Sequence, residues 1–381
     1  MKTYYSKKIQ QSKLYKELQD NLKSYYEYSL QQEFKQKSYL NYHKFVNRKT
    51  GEVKNLDYSF EKKFRERAEL VKQRVMSIEE IGKKRGYTSV FLTLTVPSHF
   101  HSFVSRKKGT DRIYVAENKN FKFSSLFEAT TEAYKHLNHV YKTFYKRIKN
   151  FVKDELLYVR VVEQHSGTMI PHIHAVLYFP LEFLDAVRGV FKRVVEHFEL
   201  SSVDFESVNF KENLSSAGRY LIKYITKDFK SGVDAFKIRV LDGWSKLHRI
   251  RILSNSQLPL NVFLYRTIYH ALSFNDTNIN SKDKKISKYK EEVDKQVKAL
   301  NIPLYLYIQD NLFVEQEIKY LDKKSSKTKK AQFGERNSLF KVSMKIHRDR
   351  KQNLTYKIKD LKIWYDGKLI YKKEPYIKLK Q

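Results

Sequence analysis

Helices laid on an antiparallel β-sheet, an α+β fold, are what this chain predicts, and three observations predict it. Between residues 87 and 229 the segments run strand, helix, strand, strand, helix, strand, helix. The two adjacent strands, 158–165 and 172–179, are joined by HSGTMIP, whose Gly167 and Pro171 are turn chemistry that sets them antiparallel. Apolar residues make up 41% of the 381 positions, enough to bury a core between such layers.

Residues 1–84 read as helical and charged, with apolar spacing clearest in FEKKFRERAELVKQRVMSIEEIG (60–82) and a turn-like break at NRKTGEV (47–53). YTSVFLTLTVP (87–97) alternates Phe91, Thr93 and Thr95 against Val90, Leu92 and Leu94, so it predicts a strand with one polar and one buried face, ended by Pro97. From 124 to 152, Leu126, Phe127, Ala133, Leu137, Val140, Tyr141, Phe144 and Ile148 repeat at helical spacing. Ser124 or Ser125 is placed to cap that helix, with Glu128 in the first turn where the helix dipole favours an acid. LEFLDAVRGVFKRVVEHFE (181–199) predicts a helix, VDFESVNF (203–210) a short strand, and AGRYLIKYITKDF (217–229) a second helix.

Past residue 240 the signals weaken. SKDKKISKYKEEVDKQVKAL (281–300) reads as a charged helix, DKKSSKTKKAQ (322–332) as a Lys/Ser-rich linker or phosphate-tracking loop, and LTYKIKDLKIWYDGKLIYKKEP (354–375) as a hairpin turning at Asp366-Gly367. The expected organisation is a helical basic accessory region at 1–84, a core at 85–240, and a mixed basic accessory region at 241–381.

Lysine and arginine number 75 against 42 acidic residues, and the net charge of +33 points to a polyanionic partner. The 28 Tyr and 25 Phe are interleaved with that charge, a layout suited to stacking on unpaired bases while cations track phosphates. Nucleic acid is the first candidate, and the N-terminal arm is expected to cover the core or touch DNA. Cysteine is absent, which excludes disulfides, thiolate metal sites and a thiol nucleophile. With no apolar leader at the N-terminus and no run near the roughly 20 apolar residues of a membrane span, a cytoplasmic protein without a membrane partner is expected.

The residues suited to chemistry are concentrated in the core. His172 and His174 in PHIHAVLYFP (171–180) flank one residue on a strand, so both rings leave the same face and present neutral nitrogen ligands to one cation. Glu163 and His165 share a face of the neighbouring strand by alternation, and either supplies a third ligand; a carboxylate suits the Mg²⁺ or Mn²⁺ that phosphoryl transfer uses. Tyr220 and Tyr224 lie four apart on a helix, with Lys223 and Lys227 beside them, and a phenol so placed acts as a covalent nucleophile when a metal polarises the phosphate. Thr93 and Thr95 are placed to line the cleft or hydrogen-bond DNA. Each feature alone has an ordinary alternative: a surface His pair, an aromatic stripe packed in a core, a plain central strand.

FLTLT (91–95), PHIHAVLYF (171–179) and YLIKYITK (220–227), in that order, resemble the three motifs of HUH-family rolling-circle replication initiators. VRVVEQHSGTMIPHIHAVLYF and the Tyr-x-x-x-Tyr-x-x-Lys spacing resemble most closely the phage replication endonucleases of the gene A type and their plasmid relatives. The likeness covers about residues 87 to 230. Met169 and Ile170 are two residues more than the pattern carries between Gly-Thr and Pro-His, which leaves the register of Glu163 against His172 open.

The resemblance implies an antiparallel-sheet HUH endonuclease core that nicks one strand at an origin and joins covalently to the 5′-phosphate. It leaves a 3′-hydroxyl for a host polymerase. By the same likeness His172 and His174 are metal ligands with Glu163 or His165 as the third, Tyr220 and Tyr224 are nucleophiles, and Lys227 assists. No GxxxxGK[ST] is present, so an ATP-driven helicase is expected as a separate host partner. Two other readings compete: a transposase or mobilisation nickase of the same superfamily, and a non-catalytic nucleic-acid-binding protein whose His pair is structural.

Overall fold

The computed structural model describes residues 7–108, 112–165, 167–200, 210–212, 217–226, 235–273, 288–321, 326–349, 356–373 and 376–380. The chain forms two compact units, Met1–Asn41 with Asp57–Ser256, and Tyr42–Leu56 with Gln257–Gln381. Both mix helices with sheets that are largely antiparallel. Among the described residues, no helix is long and apolar enough to cross a membrane.

In the first unit the elements are α1 (Lys13–Asn41), α2 (Phe60–Lys84), β1 (Thr88–Leu94), α3 (Leu126–Val152), β2 (Leu157–Gln164), β3 (Pro171–Phe179), α4 (Leu184–His197), β4 (Phe210–Glu212), α5 (Ala217–Thr226), α6 (Ala235–Leu247) and β5 (Leu253–Asn255). Five strands form one sheet in the order β4-β1-β3-β2-β5, with every neighbouring pair antiparallel. Ser125 caps α3 by accepting from the Glu128 amide at 3.1 Å, and the Glu128 carboxylate returns to accept from the Ser124 amide. A hairpin, Phe103–Lys108 with Arg112–Glu117, follows β1 and was not legible in the sequence.

The strand β3 is apolar almost throughout because helices cover both faces of the sheet, and Ile173 to Phe179 are each no more than 5% exposed. Alternation assigns the faces. Leu92, Leu94, Ile173, Ala175 and Leu177 point toward α3 and α4, where Leu137, Val140, Phe144 and Phe191 complete the core. On the opposite face Phe91, Thr93, Val161, Glu163, His172 and His174 lie beneath α2 and α5. The alternation expected of YTSVFLTLTVP is therefore the alternation observed.

Helix α1, expected as part of an accessory arm that covers the core or touches DNA, packs along α6 and on α3 within the first unit. Its fit depends on Gly243, where an added β-carbon would overlap the carbonyl oxygen of Tyr25. Buried polar groups lock this contact. Tyr25 Oη lies 2.7 Å from His248 Nε2, and His248 Nδ1 lies 2.7 Å from Thr131 Oγ1. Thr131 donates its own proton to the Phe127 carbonyl, so the imidazole donates from Nδ1 and accepts the tyrosine proton at Nε2. Glu17 on α1 accepts from the Leu126 amide at the start of α3.

In the second unit a sheet orders its strands Ser326–Phe333, Leu312–Leu321, Phe340–Asp349, Tyr356–Tyr365 and Lys368–Lys372, with the second and third parallel. Asp366 and Gly367 both take positive φ, 46° and 72°, and turn the last pair as a hairpin, as the Asp-Gly signal predicts. Ser326–Phe333, expected within a linker or phosphate-tracking loop, is instead an edge strand; its partner supplies the backbone bonds, and an edge tolerates so many lysines. The break at 47–53 is likewise a hairpin turn, whose strand His43–Asn47 also pairs with Tyr376–Lys380. Helix Lys288–Leu300 lies within the expected 281–300. The expected strand at 203–210 falls outside the described residues except for Phe210.

Candidate active site

The ladder between β2 and β3 places Glu163 directly opposite His172 and Val161 opposite His174. The loop between them absorbs the two additional residues by folding back on itself. His165 N–H donates to the Ile170 carbonyl and Met169 N–H to the His165 carbonyl, both at 2.9 Å, while Met169 takes φ +63°. Trp244 Nε1 then donates to the Met169 carbonyl at 3.0 Å and fixes the loop against α6.

His174 is held at both ring nitrogens. Thr93, its partner across the β1–β3 ladder, brings Oγ1 to 3.0 Å from Nδ1, and Glu163 brings Oε2 to 2.9 Å from Nε2. A carboxylate accepts, so Nε2 carries the proton and Nδ1 receives the Thr93 hydroxyl. Thr93, expected to line the cleft or hydrogen-bond DNA, makes a contact that orients a histidine of the site; Thr95 lies just beyond the end of the strand.

His172 sits among imidazoles. Its ring centroid is 5.1 Å from that of His165 and 6.1 Å from that of His101, and His101 and His165 are 5.9 Å apart. Thr168 Oγ1 links the outer two, at 3.0 Å from His165 Nδ1 and 3.3 Å from His101 Nδ1. Burial, reinforced by the neighbouring imidazoles, pulls the His172 pKa from 6.5 down to about 3, against the opposing pull of Glu163. Burial and His165 bring His101 down to about 4. Both are neutral at physiological pH, the form in which imidazole ligates metals. Sequence reasoning missed His101, which follows a 3₁₀ turn and is set by Asn118, whose Nδ2 donates to the carbonyls of Ser98 and His101. No local pattern marks that long-range brace.

The tyrosine helix lies on the same face. Phe91 stacks on the His174 ring at 5.9 Å and meets Tyr220 edge-on at 4.9 Å, so one aromatic side chain touches both. Tyr220 is 36% exposed, whereas Ala217 and Leu221 are buried beneath it. Gly218 permits the approach of α5, since a β-carbon there would meet the Glu79 carboxylate and come within 3.1 Å of Tyr178 Oη. Burial, with Glu79 nearby, raises the Tyr178 pKa well above 10.0, so it stays a neutral phenol in the floor under α5. The side chains of Lys223 and Tyr224 in the last turns of α5, and the whole of Lys227, fall outside the described residues.

Two imidazoles and a carboxylate have the donor chemistry for a small divalent cation, and His172 Nε2 is buried with no hydrogen-bond partner among the described residues. Among the described residues, however, no three His, Asp or Glu side chains are arranged to hold one ion. Glu163 and His174 instead bond to each other, so coordination requires that hydrogen bond to open.

Fold and site together define a mixed α+β protein in which an imidazole–carboxylate centre and a tyrosine-bearing helix share one face of an antiparallel sheet. The chain belongs to the bacteriophage replication gene A protein (GPA) family, whose model matches residues 6–231, a span that contains every one of these groups. Over 183 residues it is also 28% identical to a protein named replication protein from Haemophilus phage HP1 (strain HP1c1), which covers 46% of this chain and 21% of that protein. The chain thus matches about a fifth of that relative's length. No solved structure matches the chain.

Proposed function

We propose that this protein initiates phage DNA replication as an HUH-type endonuclease, cutting one strand at an origin through a covalent 5′-phosphotyrosine. The observation that carries the reading is the bridge formed by Phe91, which touches both the His174 ring and the candidate nucleophile Tyr220. Membership of a family named for phage replication, and the excess of 75 basic over 42 acidic residues, support DNA as the substrate.

In the proposed reaction the Tyr220 oxygen attacks a backbone phosphorus. The new P–O bond forms as the bond to the 3′ oxygen breaks, the phenol loses its proton, and the departing oxygen takes one up to become a 3′-hydroxyl. His172 and His174 would hold Mg²⁺ or Mn²⁺ with Glu163 or His165 as third ligand, and the cation would polarise the phosphate. Thr93 keeps His174 in one ring orientation, and Gly218 keeps α5 close to the sheet. Tyr224 is proposed as a second nucleophile and Lys227 as its aid. A host polymerase extends the 3′-hydroxyl and a host helicase opens the duplex.

Incubation with single-stranded DNA carrying the phage origin and Mn²⁺ tests the reading. An SDS-resistant protein–DNA adduct, absent from the Tyr220→Phe/Tyr224→Phe variant, is the expected result. A protein that binds the strand but forms no adduct is the non-catalytic alternative.

A further inference from the structure

Beside the site, and within the same unit, α2, β2 and the stretch from α6 to β5 line a cavity of about 930 Å³ that opens to solvent. Glu163, whose carboxylate meets His174 Nε2 at 2.9 Å, and Gln164 are among the residues that line it, so the cavity adjoins the imidazole cluster through that carboxylate. Its charge is lopsided: Arg67, Arg74, Lys237, Lys246, Arg249 and Arg251 line it against only Glu163 and Asp242. Asp242 and Lys246 offset each other at 2.7 Å, with Ser29 also donating to Asp242 at 3.0 Å, so the balance rests on the other five cations against Glu163. Between the cations the walls are apolar, with Val71, Leu241 and Ile252 among them.

We propose that this cavity receives the unpaired nucleotides that flank the cut, an inference that rests on the nickase reading and adds where the strand lies. Cations need an anion, and apolar walls need flat rings; a single DNA strand offers both in alternation. Duplex DNA offers the phosphates but keeps its base faces stacked on each other. The size falls within the range of about 300–1,000 Å³ usual for ligand clefts and cavities. Arg67, Lys237, Arg74 and Arg251 hold phosphates, while bases rest on Val71 and Leu241.

Fluorescence anisotropy of a labelled oligothymidylate strand and of a labelled duplex, with the full chain in EDTA, tests this without any cleavage. Arg67→Ala/Lys237→Ala and Arg74→Ala/Arg251→Ala each weaken single-strand binding about tenfold and flatten its salt dependence by about 1.4 log units per log unit, as expected for two lost phosphate contacts. Val71→Trp, which fills the cavity at constant charge, weakens the single strand and leaves the duplex within twofold. Lys146→Ala/Arg147→Ala, exposed on α3, changes neither by more than twofold. If the α3 pair costs as much as the cavity pairs, or if Val71→Trp binds the strand like the parent, the cavity assignment is overturned. Should Arg74→Ala/Arg251→Ala melt early, the exposed pair Arg67 and Lys237 decides. The origin-strand adduct assay separates the two claims: no adduct with these binding losses intact sinks the nickase alone, and adduct formation with parent-like binding in the cavity variants sinks the cavity alone.

Discussion

Thr93 stands opposite His174 in the β1–β3 ladder, with its hydroxyl 3.0 Å from Nδ1 while Glu163 takes Nε2. One strand residue thereby fixes the orientation of a ring on the next.

Thr93→Val keeps the shape and removes the hydroxyl that holds His174 at Nδ1. Adduct formation with origin DNA is expected to slow by about 10- to 100-fold, the usual effect of deleting a group that orients a ligand. Thr93→Ser restores the rate, and thermal unfolding of all three proteins agrees closely. Equal rates for Thr93→Val and the parent would remove Thr93 from the account.

Gly218 sets the distance between α5 and the sheet. Gly218→Val is expected to displace Tyr220 and reduce adduct formation about tenfold or more, since a misplacement near 1 Å costs up to about 100-fold. Single-strand binding, measured by anisotropy, stays near the parent value.

Gly243→Ala drives a methyl into the Tyr25 backbone where α1 crosses α6. Because backbone rather than a side chain must yield, a loss of about 3 kcal/mol is expected in urea unfolding. A loss below about 1 kcal/mol would show that α1 is not held at this crossing.

His248 gives the fold a pH dependence of known sign. Burial lowers its folded pKa from 6.5 to about 4, so the unfolded chain takes up the proton first as the solution is acidified. Its contribution is whole above pH 6.5 and lost as pH falls toward about 4, amounting to about 3 kcal/mol at most. His248→Gln should flatten the stability profile over that window, as followed by thermal melts at several pH values. An unchanged slope would assign the acid sensitivity elsewhere.

Apart from the hairpin at 103–117, the strands and helices described between 88 and 197 were legible because local alternation and helical spacing agree with burial, as Phe91 and Thr93 against Leu92 and Leu94 illustrate. The meeting of His172, His174 and Glu163 was legible for the same reason, since a hairpin turn forces neighbouring strands together. What escaped is long-range. The register of Glu163 on His172 depends on a loop tied by Trp244, the place of His101 on Asn118, and the strand His43–Asn47 on a partner at Tyr376–Lys380. No short window of sequence carries those contacts. The crossing of α1 on α6 is a further case, because Gly243 is informative only once Tyr25 faces it.

The most direct test is to digest the protein after reaction with a labelled origin oligonucleotide and Mn²⁺, and to identify the modified residue by mass spectrometry. A phosphodiester on Tyr220, or shared between Tyr220 and Tyr224, is expected, and no labelled peptide from His172→Ala/His174→Ala. A label on any residue outside α5, or undiminished labelling of the histidine variant, would contradict the proposed reaction.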